Sequence, residues 1–408
     1  MSEIDFISKL LYKDKYNSYS VLTYIDVDNV LSNDFISNYI NEIVENNPVL
    51  KQTIVEKDNL FFLQDVTPFI VTNYYTIEYI NRDVFDSYIP ALLNNNFETD
   101  IKWKFLFCID KETNKSRYYF KIHHAYIDGY KIIDMLTIPL TDKNKNKYTN
   151  ITNNFKRVVE TGIINKIYYY IIGTIILIIT NIICLFYFIN PFKKNIENVY
   201  EKNTDYIICK SLNLSDIKKY TKDKNISITN FLCALMVKAD KLYRKEEKNI
   251  RICSPYYIHG AKYINNMLPI FIKIKNSLDN SVLLKEINNT FNNYKYSLFI
   301  PILTFIKFIL NSFVSYIDIE VLDQMIRENS FDYAFSSMIG PSITEIDKVK
   351  VTDIHYIDNT INKEIMYNII SCGNNVNIIC SFKEGLIADK ARFEQCIYDA
   401  YDSLLQKQ

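Results

Sequence analysis

The sequence predicts an α/β protein with two lobes, each a mixed β-sheet flanked by helices. Three features support this fold class. Strand-like and helix-like segments alternate in both halves, the halves resemble each other in size and content, and a long uncharged segment separates them. The predicted boundaries are 1–155 for the first lobe, 156–195 for the separating hydrophobic segment and 196–408 for the second lobe.

The first lobe is predicted to open with a strand followed by a helix. Apolar and other residues alternate at 21–27, as in a strand whose two faces differ. Ser32 can cap the next helix, whose apolar residues recur every three to four positions, and Pro48 ends it. The remaining elements predicted for this lobe are strands at 59–64, 76–80 and 103–109, a helical stretch at 84–94 and a short helix at 131–136.

The second lobe shows the same mixture of elements. Its predicted helices are 215–220, 227–243, 281–294 and a final one from Asp389, and its predicted strands are 249–253, 268–274 and 333–336. Two further strands, 367–371 and 376–382, flank Cys372-Gly373-Asn374-Asn375, which is a hairpin signal.

The overall composition excludes some classes of function. In the 408 residues, Lys and Arg total 47, as do Asp and Glu, so no global positive field would attract nucleic acid. The eight cysteines form no Cys-x-x-Cys pair, which is typical of reduced, buried thiols in a cytosol-facing protein. The N-terminus has no basic region followed by an apolar core, so no secretory signal is expected.

The most informative stretch is 117–129, which reads Arg-Tyr-Tyr-Phe-Lys-Ile-His-His-Ala-Tyr-Ile-Asp-Gly. Its alternation predicts a strand with one face half-buried, ending at His123 and His124. Adjacent side chains on an extended strand point to opposite faces, so the two histidines should have different roles. Asp128, next to Gly129, can hold a turn through an ion pair or through hydrogen bonds to backbone amides.

The pattern His-His-x-x-x-Asp-Gly resembles the signature of the CoA-dependent acyltransferase superfamily. That superfamily includes chloramphenicol acetyltransferase-like enzymes, peptide-synthetase condensation domains and wax ester synthase/diacylglycerol acyltransferases. The resemblance implies that His124 is the general base and that His123 and Asp128 are structural. On residue types alone, a structural cluster explains these residues about as well. A metal site is less expected, because no third ligand stands at metal-like spacing.

A second stretch, Phe335-Ser336-Ser337-Met338-Ile339-Gly340-Pro341, resembles the Ser-Asn-Val-Pro-Gly-Pro block of the wax ester synthase/diacylglycerol acyltransferase family. Ser336, Gly340 and Pro341 match that block, whereas Ser337 and the two residues after it depart from it. An ordinary turn is the alternative from residue types alone. The resemblance implies that five residues contact substrate: Gly129, Ser336, Ser337, Gly340 and Pro341.

Weaker similarities to the same family extend along the chain. They are Pro48-Val49-Leu50, Ile228-Thr229-Asn230 and Asn265-Asn266-Met267-Leu268-Pro269. They imply a two-lobed chloramphenicol-acetyltransferase-like fold. The hydrophobic segment 156–195 would be inserted between its lobes, and its composition predicts that it is membrane-associated.

That segment is uncharged from 167 to 189. As a helix rising about 1.5 Å per residue it would be roughly 34 Å long, enough to cross a hydrocarbon layer of ~30 Å. A single crossing would place the two lobes on opposite sides of the membrane, so we favour a re-entrant or interfacial segment over a span; a buried helix pair is the other alternative. The run 298–317, apolar except for Lys307, is expected either to be a buried helix or to dip into the membrane surface.

The resemblance implies an O-acyltransferase that moves a fatty acyl group from acyl-CoA to a lipid alcohol, giving a wax ester or a triacylglycerol. It needs no cofactor beyond acyl-CoA as co-substrate, and its partner is a membrane surface facing the cytosol, such as the endoplasmic reticulum or a lipid droplet in a eukaryote. Two alternatives stay open: a non-catalytic, membrane-associated lipid-binding protein, and a condensation-type acyltransferase that uses a carrier-bound thioester.

Overall fold

The structure is a computed structural model. It describes residues 2–12, 19–57, 60–137, 171, 203–245, 249–257, 265, 267–275, 279–296, 307, 331–341, 345–346, 349–359 and 365–405. The predicted membrane segment 167–189 lies outside these residues except for Ile171, and the run 298–317 lies outside them except for Lys307. Among the described residues, no helix is both long enough and apolar enough to cross a membrane.

The first half contains short strands and helices in alternation. Its strands are β1 (Ser2–Glu3), β2 (Ser20–Val27), β3 (Gln52–Lys57), β4 (Leu60–Asp65), β5 (Tyr75–Tyr79), β6 (Trp103–Asp110) and β7 (Lys115–His123). Its α-helices are α1 (Phe6–Tyr12), α2 (Asn33–Asn46), α3 (Tyr88–Asn94) and α4 (Gly129–Thr137). Short 3-10 helices occur at Pro48–Lys51, Val71–Tyr74, Arg82–Ser87 and His124–Tyr126.

The second half is built in the same way. Its strands are β8 (Thr204–Ile208), β9 (Leu212–Asn213), β10 (Ile250–Tyr257), β11 (Met267–Ile274), β12 (Tyr333–Met338), β13 (Glu345–Ile346), β14 (Val349–Asp358), β15 (Ile365–Cys372) and β16 (Asn375–Lys383). Its helices are α5 (Leu214–Asp223), α6 (Ile228–Arg244), α7 (Asn280–Tyr296) and α8 (Lys390–Leu405).

One large sheet combines strands from both halves. Within the described ranges its strand order is β13-β14-β2-β7-β6-β5, and β1, β4 and β3 form a small separate sheet. Strand β2 lies between β7 and β14 and is antiparallel to both, so that Ile25 aligns with Tyr118 on one side and with Ile354 on the other. A strand from the second half therefore completes the sheet of the first lobe.

The face alternation predicted for β7 is confirmed, but its half-burial is not. Tyr118, Phe120 and Ile122 pack in the core that contains α2. Tyr119, on the opposite face, packs in a second cluster that includes Ile379 from the second half. The strand is buried on both faces because Phe85, Ile89 and Leu93 of the first half, together with Ile357 and Ile379 of the second half, cover this opposite face.

In the other large sheet, every strand that the structure describes comes from the second half. Its order along the described residues is β11-β10-β12-β15-β16-β8, with β9 pairing to β16. The apolar faces of α6 and α8 pack on it, with side chains such as Leu235 and Phe393 fully buried against sheet residues such as Tyr367 and Ile378. The structure thus has two mixed-sheet lobes with flanking helices, as the sequence predicts.

Local signals placed most elements correctly. The Ser32 hydroxyl caps α2 by accepting a hydrogen bond from the Phe35 N–H at 3.1 Å. The hairpin between β15 and β16 is present, with Gly373 at the left-handed φ of 55° that its two-residue loop requires. The predicted helix 84–94 is instead the 3-10 helix Arg82–Ser87 followed by α3. Pro90 explains this difference, because proline is tolerated only in the first turn of an α-helix.

Candidate active site

The two adjacent histidines lie where β7 passes into a 3-10 turn. His123 is the last residue of the strand and His124 is the first residue of the turn. His123 is 2% exposed, whereas His124 is half-buried. The two imidazoles therefore have different environments, as expected for neighbours at the end of a strand.

His123 is held among first-half residues. Its Nδ1 accepts a hydrogen bond from the Ala125 N–H at 3.2 Å, and its ring meets the edge of the Tyr12 ring with centroids 5.8 Å apart. Burial lowers the pKa of His123 to about 3, and the neighbouring His124, Lys102 and Lys121 act in the same direction. A neutral, packed imidazole that uses Nδ1 as an acceptor fits the structural role predicted for this residue.

Both halves of the chain hold the main chain of His124. Its N–H donates to the Tyr19 carbonyl oxygen at 2.7 Å, and its carbonyl oxygen accepts from the Asn265 side-chain amide at 3.0 Å. The Nδ1 of His124 is buried and makes no hydrogen bond to any described residue. The backbone from which this imidazole projects is thus fixed on both sides.

Asp128 stabilises the start of α4. The side chain is 2% exposed; its Oδ1 accepts from the Lys131 N–H at 3.0 Å, and its Oδ2 lies 3.6 Å from Lys131 Nζ. An aspartate that accepts the N–H three residues later is a helix N-cap. The motif therefore begins at a strand end and finishes at a capped helix.

The second half packs directly on the end of the motif. A Cβ added to Gly129 would lie 3.1 Å from the Sδ of Met338, so the glycine leaves room for that side chain. The next residue, Tyr130, stacks at a tilt on Tyr257 with ring centroids 4.7 Å apart, and its hydroxyl hydrogen-bonds with the backbone of Ile339. The two stretches singled out in the sequence are neighbours in space.

The two serines of the stretch 335–341 differ in burial. Ser336 is buried in β12 and its carbonyl oxygen accepts a hydrogen bond from the Tyr356 hydroxyl at 2.8 Å. Ser337 is half-buried in the same strand.

Gly340 and Pro341, at the end of that stretch, are held by the hairpin of the second sheet. The Gly340 N–H donates to the Ser371 hydroxyl at 3.2 Å, and the Pro341 carbonyl oxygen accepts from the Gly373 N–H at 3.0 Å. A Cβ on Gly340 would lie 2.0 Å from the Ser371 carbonyl oxygen, so only glycine allows this close backbone approach.

Residues beside the motif that received no role from sequence reasoning form a buried polar cluster: Asp5, Ser8, Asn265 and Lys307. Lys307 Nζ donates to the carbonyl oxygens of Asn265 and of Met267, the latter at 3.2 Å. A lone charge within an apolar run is a signal that could have identified Lys307, since a buried charge requires polar partners.

The charges around the motif are perturbed by burial. Burial lowers the pKa of Lys307 to about 8, although the nearby Asp5 and Asp128 oppose the shift. Burial also lowers the pKa of Lys121 to about 8. Asp134, on α4, has its pKa raised to about 6 by burial and by the neighbouring Asp128. Several titratable side chains with shifted pKa values in one polar site are typical of functional sites.

Searching the described residues for metal ligands gives no group of three or more His, Cys, Asp or Glu able to hold an ion. Among the described residues no cysteine is joined in a disulfide; six of the seven described cysteines are buried and Cys253 is half-buried. Cys184 lies outside the described residues.

Comparisons with solved structures identify the fold. The chain is similar to the wax ester synthase/diacylglycerol acyltransferase from Marinobacter aquaeolei VT8, with a TM-score of 0.62, 11% identity and coverage of 99% of this chain and 98% of that one. It is also similar to the TRI3 trichothecene 15-O-acetyltransferase from Fusarium sporotrichioides, with a TM-score of 0.67, 11% identity and coverage of 99% and 94%.

A third similar structure is a mutant of the starter condensation domain of rhizomide synthetase RzmA in complex with C8-CoA. The TM-score is 0.58, the identity 12%, and the coverage 97% of this chain and 92% of that one. No protein-family model matches the sequence, and no curated protein matches it. The chain has the fold of the CoA-dependent acyltransferases.

Proposed function

We propose that the chain is an O-acyltransferase that moves a fatty acyl group from acyl-CoA to a lipid alcohol. The acceptor is a long-chain alcohol or a diacylglycerol, and the product is a wax ester or a triacylglycerol. The observation that carries this proposal is the junction at the His-His-x-x-x-Asp-Gly motif, where the Asn265 amide donates to the His124 carbonyl oxygen and the Met338 side chain lies beside Gly129. Similarity to a wax ester synthase/diacylglycerol acyltransferase along almost the whole chain supports the choice of substrates.

In the proposed reaction, His124 acts as general base. Its neutral imidazole accepts the proton of the alcohol as the hydroxyl oxygen attacks the thioester carbonyl carbon. The tetrahedral intermediate collapses, the carbon–sulfur bond breaks, and the imidazolium returns the proton to the leaving thiolate of CoA. General-base catalysis contributes typically about 10²–10⁴-fold, and orientation of the two substrates contributes more.

The other motif residues support that reaction. We assign structural roles to His123 and Asp128, which hold the strand end and the start of α4. Ser337, or a backbone amide of the segment that follows β12, is our candidate donor to the oxyanion. Gly129, Ser336, Gly340 and Pro341 are proposed to shape the substrate site. No cofactor is required, because a thioester is already activated.

Lipid substrates also suggest where the protein works. We propose that 156–195 associates with one face of a membrane, towards the cytosol, and brings the active site to the lipid surface. Tags at the two termini, treated with protease outside sealed vesicles, should be equally accessible. Protection of one tag alone would contradict a one-sided arrangement.

The proposal is tested by product formation. Purified protein is incubated with a long-chain acyl-CoA and either hexadecanol or diacylglycerol, and ester is measured by mass spectrometry. We expect ester from the wild type and a large loss in His124→Ala. The matched control is His355→Gln, because His355 is a buried histidine on β14 that faces Asp353, with Nε2 3.1 Å from Oδ2. Equal rates in all three proteins would exclude His124 as the base.

Two alternatives predict different results in the same assay. The condensation-type acyltransferase is favoured by fold neighbours such as the condensation domain of Monacolin K polyketide synthase MokA, with a TM-score of 0.59. It would transfer an acyl group that is presented on a carrier protein and would form no wax ester or triacylglycerol from free acyl-CoA. A lipid-binding protein without turnover would bind both substrates and release no CoA.

A further inference from the structure

Asn265 occupies the point at which three parts of the chain meet behind His124. It is fully buried. Its side-chain amide donates to the His124 carbonyl oxygen at 3.0 Å and to the Ser8 hydroxyl at 2.8 Å. Its main-chain N–H donates to Asp5 Oδ2 at 3.1 Å. Both amide protons are thus directed to groups of the first half.

The partners of Asn265 are themselves fixed. The Asp5 carboxylate accepts hydrogen bonds from the Ser8 N–H and hydroxyl at 3.0 and 3.1 Å, and these bonds stabilise the start of α1. Lys307 Nζ donates to the carbonyl oxygen of Asn265. An asparagine anchored at its N–H, carbonyl and amide has little freedom to move away from His124.

The position of the His124 carbonyl affects the position of its imidazole. The main-chain N–H of this residue is already fixed to Tyr19, which belongs to the first half. The bond from Asn265 supplies the second restraint and comes from the second half. A catalytic imidazole displaced by about 1 Å can lose up to about 10²-fold in rate.

We propose that Asn265 is a positioning residue that couples the placement of the second half to the orientation of the His124 side chain. This inference rests on the proposed function only where kcat is measured. The hydrogen bond from Asn265 to the His124 carbonyl oxygen is a property of the structure, and its effect on the imidazole is measured separately by NMR.

The experiment compares three variants with the wild type. Asn265→Ala removes both amide hydrogen bonds. Ser8→Ala removes the neighbouring bond at 2.8 Å and leaves the one to His124. Asn94→Ala is the matched control, because Asn94 also links the halves through two hydrogen bonds, to the Thr204 carbonyl and N–H at 3.2 and 2.9 Å, away from the motif.

We expect kcat to fall by up to about 10²-fold in Asn265→Ala with little change in KM, because the residue acts on the base and not on substrate affinity. In Ser8→Ala, kcat should fall less than in Asn265→Ala. Asn94→Ala should lower the melting temperature without changing kcat. A kcat that is unchanged in Asn265→Ala, or lowered equally in Asn94→Ala, would overturn the proposal.

A second measurement does not require turnover. The four histidines of the chain can be assigned by substitution in ¹H–¹³C spectra of labelled protein. We expect the His124 ring signals to shift or broaden in Asn265→Ala while those of His355 stay unchanged. If wild-type protein forms no ester but this change appears, the proposed function fails and the positioning role stands. If Asn265→Ala does not fold, Lys307→Met tests the same restraint, since it removes the hydrogen bond to the Asn265 carbonyl.

Discussion

The two large sheets differ in the origin of their strands. Among the strands that the structure describes, those of the second-lobe sheet all come from residue 204 onwards, whereas the sheet that carries the motif takes β13 and β14 from the second half. Strand β2 therefore has the first-half strand β7 on one side and the second-half strand β14 on the other. The motif thus lies in a sheet that includes strands from the other half of the chain.

The largest expected effect comes from separating the halves. A fragment of residues 1–155 leaves one edge of β2 unpaired and removes Ile357 and Ile379 from the apolar cluster around Tyr119, which favours aggregation. We expect this fragment to be unfolded or aggregated by circular dichroism and size-exclusion chromatography, and to be rescued when 196–408 is co-expressed. Cooperative unfolding of 1–155 alone would show that the borrowed strand is dispensable.

A sharper comparison uses the two glycines of the site. In Gly340→Ala the new Cβ would lie 2.0 Å from the backbone oxygen of Ser371, so we expect a loss of about 3 kcal/mol in the free energy of unfolding. In Gly129→Ala the nearest atom is the flexible thioether of Met338, and alanine favours helix, so the change should stay within about 1 kcal/mol. Urea denaturation measures both. Equal losses would mean that the Gly340 strand end is free to move.

A further expected effect concerns the pH dependence of stability. The folded pKa of His123 is about 3, below the ordinary value of about 6.5, so between these values the unfolded state binds the additional proton. Stability should therefore fall by about 1.4 kcal/mol per pH unit as the pH drops through this window.

His123→Asn tests that dependence, because it retains an acceptor for the Ala125 N–H and removes the titration. Melting curves between pH 4 and pH 7 should show a shallower pH dependence for the variant than for the wild type. Parallel curves would contradict the burial of a neutral imidazole at this position.

Local patterns in the sequence were sufficient for most elements. The period of the apolar residues and a capping serine identified α2, and glycine and asparagine between two strand-like runs identified the β15–β16 hairpin. The end of β7 at His123 followed from alternation alone. These features depend on neighbours along the chain, which is why they were predictable.

The cross-half contacts were not predictable in the same way. Strand β14 pairs with a strand more than three hundred residues earlier, and the register shift between Val351 and Asp353 interrupts its alternation. The bonds from Asn265 to Asp5 and His124 likewise join distant segments. A repeating pattern along the chain does not indicate which residues meet across such distances. The contacts of β14 and Asn265 with the first half therefore became visible only in the structure.

The most direct test of the central claim compares catalysis with binding in His124→Ala. Ester formation gives kcat, and titration calorimetry with a non-hydrolysable acyl-CoA analogue gives affinity. We predict that kcat falls by about 10²–10⁴-fold, the typical contribution of a general base, while the Kd of the analogue stays that of the wild type. A variant that retains wild-type kcat would contradict acyl transfer by this histidine.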